Sequence, residues 1–342
     1  MSFLSIVLAV LVFGLIVVIH EFGHFIVAKR AGVTIYEFSV GMGPALIKKE
    51  HGGIDYCLRL LPIGGYVSMA GETDADDDGA DDPDAFYRKP LLARILVLLA
   101  GPFNNLLLGY FVLVILTVMN GWVGTTCIAQ LEEGTSAYGI LQLGDRITAI
   151  NGHRVYTSND ISYEFLRDED GLMEITVRRD GETITSSIQF PLESYDGQQY
   201  ITIDFKVAAV VPTALDYVTY PINWGMSIIK EVWGSVIGLC TGRYAVNELS
   251  GPVGVVSAIG QAAKISMKTF IKMVAYITVN IGVMNLLPIP VLDGGRIVLE
   301  VCRSIFGDSA PYRKIFRILL AVSMGLLVFL MLYVTFLDIT RL

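Results

Sequence analysis

His20, Glu21 and His24 sit inside an apolar stretch of the chain, where each is costly unless something compensates it. A charged side chain at mid-membrane costs about 2.5–3.5 kcal/mol even on insertion scales. The spacing suggests the compensation. Residues four apart share one face of a helix, so the imidazoles of His20 and His24 can converge on one metal ion. Glu21 then lies beside that ion, uncoordinated and free to act as a base. The chemistry these types support is metal-assisted hydrolysis of a peptide bond. A shuffled chain shows the five-residue His-Glu-x-x-His pattern only about once or twice in a thousand trials, a crude chance rate for a motif match. The rival reading, three polar groups that merely hydrogen-bond other helices, leaves the spacing unexplained. His51 and His153 stand alone in polar segments and read as surface histidines.

A catalytic zinc takes three protein ligands and keeps a fourth position for water, so a third donor must come from elsewhere in the chain. Asp293 is the candidate, at the end of the run Asn285-Leu286-Leu287-Pro288-Ile289-Pro290-Val291-Leu292-Asp293-Gly294-Gly295. The prolines remove backbone donors and break the helix ahead of it. The paired glycines let the chain turn and neighbouring backbone approach, so a carboxylate there can reach sideways to the metal. Nucleophilic alternatives lack support: there is no G-x-S-x-G elbow. The four cysteines, at 57, 127, 240 and 302, form neither a C-x-x-C pair nor a disulfide framework.

The elements that must position these groups are membrane spans. Of 342 residues 53% are hydrophobic and only 17% charged, against about 25% charged in soluble domains. Four stretches, 3–28, 95–119, 271–292 and 318–337, are long enough to cross a hydrocarbon core, which needs roughly 20 apolar residues. The first reads as a span, not a cleaved leader, because it lacks a basic start and a small-residue cleavage site and is too long. A fifth stretch, 222–240, is interrupted by Lys230 and Glu231, while Trp224, Ile228, Val232, Trp233, Val236, Ile237 and Cys240 recur at helical spacing. It is expected to lie along the interface. Net charge is −8, which argues against nucleic acid as a partner because little basic charge is left to neutralise phosphates.

Basic residues flank the first connection (Lys29, Arg30, Lys48, Lys49, Arg59, Arg88, Lys89) and the third (Arg296, Arg303, Arg313, Lys314, Arg317), whereas none follows Met119 until Arg146. The positive-inside rule then puts both termini and the central segment outside and the chemistry towards the cytosol. Lys264, Lys268 and Lys272 oppose that orientation. The first connection carries Gly41-Met42-Gly43-Pro44 and Pro62-Ile63-Gly64-Gly65-Tyr66-Val67 around short alternating runs, the mark of small strands punctuated by glycine turns. Residues 74–84 hold seven aspartates. Asp74, Asp76, Asp78 and Gly79 match the start of a calcium loop, but Ala85 occupies its twelfth position, so a solvated acidic linker is the better reading.

From about 121 to 207 the charge density is that of a soluble module, with strands at 175–177 and 184–190 and an Asn151-Gly152 turn. Its run Glu133-Gly134-Thr135-Ser136-Ala137-Tyr138-Gly139-Ile140-Leu141-Gln142-Leu143-Gly144-Asp145-Arg146-Ile147, continuing to Asn151-Gly152, resembles the permuted PDZ domains of bacterial envelope proteases. An unrelated small β barrel is the alternative.

Pairing the His20–His24 motif with Asn285-x-x-Pro288-x-Pro290-x-Leu292-Asp293-Gly294 gives a pattern that resembles the site-2 proteases, the intramembrane zinc metalloproteases, and within them the bacterial regulator-of-sigma type. Gly41-Met42-Gly43-Pro44, Phe86-Tyr87-Arg88-Lys89-Pro90, Ala100-Gly101-Pro102-Phe103-Asn104-Asn105 and Ser250-Gly251-Pro252-Val253-Gly254 are similar to further elements of that family, in order along nearly the whole chain. The resemblance implies one Zn2+ per chain on His20, His24 and Asp293, and Glu21 as the catalytic glutamate. It implies substrate-positioning or supporting roles for Asn285, Asn105 and the Gly41/Gly43 strand. It also implies a bacterial inner-membrane location, single-span membrane proteins as substrates (anti-sigma factors or signal-peptide remnants), and an upstream site-1-type protease. One departure is that a single PDZ-like segment fits here, where some relatives carry two.

The expected fold is therefore a polytopic α-helical membrane protein with four transmembrane helices. Residues 1–120 form a first membrane half with a cytosolic, membrane-associated β segment, and residues 121–207 one inserted extracytoplasmic PDZ-like α+β domain. Residues 208–267 form an interfacial amphipathic segment and 268–342 a second membrane half in the bilayer. Two other functions stay open on sequence alone. A metal transporter would need polar residues along the third and fourth spans, and the fourth offers only Ser323 and Thr335; an inactive scaffold would not need Glu21.

Overall fold

The structure, a computed structural model, describes residues 3–72, 82–195, 198–244, 247, 249–307 and 309–341. Asp74, Asp76, Asp78 and Gly79, which prompted the calcium-loop comparison, lie outside the described residues. The elements run α1 (Phe3–Arg30), β1 (Ile35–His51), β2 (Ile54–Met69), α2 (Leu91–Asn120), β3 (Val123–Leu131), β4 (Arg146–Ile150), β5 (His153–Arg154), α3 (Ser158–Arg167) and β6 (Leu172–Arg179). They continue with β7 (Glu182–Gln189), β8 (Leu192–Tyr195), β9 (Gln198–Ile201), β10 (Phe205–Val210), α4 (Asp216–Cys240), α5 (Pro252–Ile265), α6 (Met267–Met284), α7 (Asp293–Phe306) and α8 (Ala310–Thr340). The chain divides into two compact units, one made of Met1–Val112 with Val232–Leu342 and the other of Leu113–Glu231.

In the first unit, α1 buries Ser5, Ala9, Val12, Ile16, His20, Gly23 and His24. Steps of three and four trace one helical stripe, so the two histidines continue the face that packs inward. Phe25, Ala28, Val33, Ile35, Ile54, Val67, Phe86, Val97 and Leu98 form the core where α1, α2 and the β segment meet. Among the described residues α1, α2, α6 and most of α8 are long and apolar enough to cross a membrane, one on each apolar stretch of the sequence. Helix α6 ends at Met284, short of the 292 expected from hydropathy. Pro288 and Pro290 offer no N–H to continue it, and residues 285–292 run through turns instead. In the stretch read as interfacial, α5 is a separate helix packed on α1, α6 and α8. Asp338 of α8 accepts a hydrogen bond from the Gly254 N–H at its start (2.7 Å).

Strands β1 and β2 are long and sharply bent rather than several small strands. Residues 37–40 pair on one side with 65–68 and on the other with 55–58, while 47–51 pair with 54–58. Four extended segments therefore lie side by side, with 65–69 along one outer edge and 45–51 along the other. Arg59 pins them: its guanidinium donates to Glu37 Oε1 (2.6 Å), Ser39 Oγ (2.8 Å), Tyr66 Oη (2.7 Å) and the Gly43 carbonyl (2.6 Å).

The second unit holds a sheet in the order β10-β3-β4-β6-β7, with β5 paired to β4. Ile147, Ile150, Met173, Ile175 and Ile188 of the sheet, Phe190 just beyond β7, and Ile161 and Phe165 of α3 share one core. The Asn151-Gly152 turn closes β4 onto β5, with φ of 48° and 76°. Both values are left-handed, as a two-residue hairpin matched to strand twist requires.

Candidate metal centre

The inward stripe of α1 brings His20 Nε2 to 3.1 Å from His24 Nε2. Asp293, the first residue of α7, places Oδ2 3.1 Å from His20 Nε2 and Oδ1 3.6 Å from His24 Nε2. All three side chains are buried, and their donor atoms lie within 4.8 Å of one another. Ligands held about 2.0–2.2 Å from a tetrahedral zinc lie roughly 3.3–3.5 Å apart, so the separations observed fit a zinc shell. Two imidazole lone pairs and a carboxylate facing one point would be satisfied by a cation between them. The rings are prepared for it. His24 Nδ1 is 2.7 Å from the Val97 carbonyl; a carbonyl only accepts, so the ring proton resides on Nδ1 and the Nε2 lone pair points at the other donors.

Helix α2 makes room for this pair. A Cβ at Gly101 would collide with His24 Nε2 and lie 2.8 Å from His20 Cε1. One at Gly23 would run into the Ala100 carbonyl, so the two glycines let α1 and α2 approach closely. Helix α7 is fixed in turn. Gly294 and Gly295 lie against the carbonyls of Leu286 and Ile289, where a Cβ would clash, and the Gly294 N–H donates to the Asn285 carbonyl (2.8 Å). Along α7, Arg296 pairs with Glu72 (2.6 Å). Glu300 pairs with Arg94 of α2, both side chains being buried, and lies 3.7 Å from Arg303.

A cavity of about 410 Å³ opens beside the three donors, lined by Glu21, Asn285, Arg296 and the strand residues Gly64, Gly65 and Tyr66 among others. Glu21 lines it without joining the donor set. Position 65 lies against Glu21, whose Cγ would be 3.3 Å from a Cβ there. Asn105 is fully buried, with Nδ2 3.3 Å from His20 Nδ1. Gly41 and Gly43 do not line the cavity; they take φ of 87° and 85° at the bend of β1. A Cβ on Gly41 would sit 2.5 Å from the Leu61 carbonyl oxygen, so that glycine shapes the strand bend rather than facing the cavity. At the Arg59 pin, burial pushes the Glu37 carboxyl up, but hydrogen bonds from Arg59 and Tyr66 outweigh it and hold Glu37 below the usual carboxylate range. The charged pair is thus present at neutral pH, and it keeps the sheet edge at 65–69 in shape beside Glu21.

Sequence reasoning alone did not find Glu72, Arg94, Val97, Arg296 or Glu300 as parts of the site. Gly65 and Gly101 did stand in conspicuous glycine motifs. The ion pairs join residues more than 200 positions apart, and no local pattern marks them.

The model of peptidase family M50 matches residues 8–330. The chain belongs to peptidase family M50. A protein of Clostridium acetobutylicum provisionally named a zinc metalloprotease is 33% identical to this M50 peptidase over 99% of the chain and 98% of its own length. One of Campylobacter jejuni with the same provisional name is 30% identical over 97% of the chain and 92% of its length. The regulator of sigma-W protease RasP of Bacillus subtilis is 27% identical over 99% of both chains. That last alignment spans 417 positions against 342 here, so RasP carries at least 75 residues with no counterpart. The M50 peptidase is a zinc-dependent metalloendopeptidase and an integral membrane protein, which sets aside the transporter and the scaffold.

Proposed function

We propose that this M50 peptidase hydrolyses peptide bonds within or near the transmembrane segment of single-span membrane proteins, with His20, His24 and Asp293 holding zinc and Glu21 moving the proton. The observation that carries the reading is the convergence of three buried donors from α1 and α7 on one point, beside a cavity that Glu21 lines but does not help to coordinate. Zinc bound there supplies a Lewis acid and brings the pKa of water to about 7. Glu21 takes the proton released as water attacks the scissile carbonyl and hands it to the departing amine, so the C–N bond breaks with no acyl-enzyme. Asn285 lines the same cavity, and its amide N–H is the donor we assign to the developing oxyanion.

A membrane helix has its peptide groups bonded internally and must unwind before it can be cut. The outer edge at 65–69, beside Glu21, offers unpaired backbone to the unwound substrate, which would add as a further strand. Residues 121–207 act as a single PDZ-like domain on the outer side, excluding substrates with bulky outer domains or binding a new carboxyl terminus. Both termini lie outside and the centre towards the cytosol of a bacterial inner membrane. The sigma-W regulator among the relatives supports anti-sigma factors as substrates; an upstream site-1-type protease would shorten them first.

The test is purified enzyme in detergent with a model span peptide. Glu21→Gln should keep about one zinc per chain and lose at least about 100-fold in cleavage rate, the scale of general acid–base catalysis. A chelator should abolish cleavage and added zinc restore it. Undiminished cleavage by Glu21→Gln would sink the assignment.

A further inference from the structure

Helix α2 sets Val97, Gly101 and Asn105 four residues apart on the face turned towards α1, and each touches the histidine pair. Val97 offers its carbonyl to His24 Nδ1, and Gly101 provides the space. Asn105 holds the corresponding place at His20: its side-chain nitrogen lies 3.3 Å from His20 Nδ1, while its oxygen is buried with no hydrogen-bond partner. His20 turns Nε2 to His24 and Asp293. A lone pair on that Nε2 leaves the ring proton on Nδ1, and an N–H cannot be satisfied by an amide N–H2. The two ends of an amide fill nearly the same volume, and a half-turn about the terminal torsion exchanges them. That turn removes both faults, giving the oxygen a donor and Nδ1–H an acceptor.

We propose that Asn105 is a positioning residue whose side-chain carbonyl accepts from His20 Nδ1–H, fixing the tautomer and ring orientation that direct Nε2 to the metal. The inference rests on the reading of His20, His24 and Asp293 as zinc ligands, and it gives each imidazole its own acceptor from one stripe of α2. It also gives the Gly101-Pro102-Phe103-Asn104-Asn105 element a physical role, with Asn104 donating to the Ile19 carbonyl (3.2 Å) to hold the two helices in register. A group that orients a ligand in this way typically changes metal affinity 10–100-fold.

The full chain in detergent is titrated with zinc against a chromophoric chelator, and the absorption of the cobalt-substituted protein is recorded. Asn105→Ala and Asn105→Leu should bind zinc about 10–100-fold more weakly with an altered cobalt spectrum. Asn105→Asp, which can accept but not donate, should bind within about threefold of wild type or more tightly. Wild-type affinity and spectrum in both Asn105→Ala and Asn105→Leu would overturn the proposal, as would an Asn105→Asp as weak as they are, since the amide would then be donating. Melts of the metal-free proteins accompany the titrations. Should Asn105→Ala melt well below wild type, the Asp and Leu variants decide. Wild type and His24→Ala form the reference: if wild type takes up no zinc, or His24→Ala takes it up equally well, the ligand assignment itself fails, whatever position 105 does.

Discussion

At the scale of single residues, the site depends on side chains that are absent as much as on those present. Gly101 faces both imidazoles, and a methyl group there would occupy the space of His24 Nε2. Gly101→Ala should therefore lower zinc occupancy of the purified protein well below one per chain and reduce cleavage by at least about 100-fold, while the metal-free fold stays helical by circular dichroism. The histidines were legible in the sequence because both requirements, an apolar span and a spacing of four, are local. Asp293 was legible through the broken helix that carries it. Val97 was not, because its contribution is a backbone carbonyl that any residue possesses. The resemblance marked Gly41 and Gly43 as substrate-positioning or supporting residues; in the structure their glycine character answers the positive φ of a strand bend.

At the scale of elements, α7 carries Asp293 and is clamped along its length. Its Asp293, Arg296, Glu300 and Arg303 recur at steps of three and four; the first faces the histidines, and the rest are tied to Glu72, to Arg94 and to one another. Arg94→Gln leaves buried Glu300 to Arg303 at 3.7 Å, so the cost falls below the roughly 3–5 kcal/mol of a buried charge left with no partner. Chemical denaturation in detergent should show that cost, together with weaker zinc binding as α7 loosens. On the β segment, a proline at Tyr66 or Ser68 removes an N–H from the strand at the sheet edge. The expected result is slower cleavage of a span peptide at unchanged zinc content; an unchanged rate would remove strand addition from the mechanism. Hydropathy gave the number of apolar helices but overran the end of α6, because apolar residues between prolines look like helix to a sliding average. The double pairing of 37–40 was equally hidden, since it joins residues up to about thirty positions apart.

At the scale of the whole molecule, one of the charges that interrupt the apolar pattern of α4 has a use within the second unit. Lys230 donates to the Arg154 carbonyl (3.0 Å), lies 3.3 Å from Asp160 of α3 and stands over the Tyr156 ring, so a residue that weakened the hydropathy signal fastens α4 to α3. In the same unit Asp145, almost fully buried, takes two hydrogen bonds from Arg179 (2.6 and 2.7 Å). The Arg179 guanidinium holds its carboxyl below the usual carboxylate range. A depressed carboxylate stabilises the fold fully above its unfolded value, about 3.9, and the contribution disappears as pH falls through the lower folded value. Hydrogen exchange of β4 and β6 in the full chain, corrected for intrinsic rates, should therefore lose protection below about pH 4. Arg179→Gln should cost roughly 2–3 kcal/mol at neutral pH and blunt that acid dependence. The order of the chain carries one more consequence. His20 and His24 leave the ribosome well before Asp293, which arrives only with α7. On the proposed ligand set, a polypeptide that stops short of α7 thus holds two imidazoles and no third donor, and its neighbours in the bilayer are spared until α7 is made.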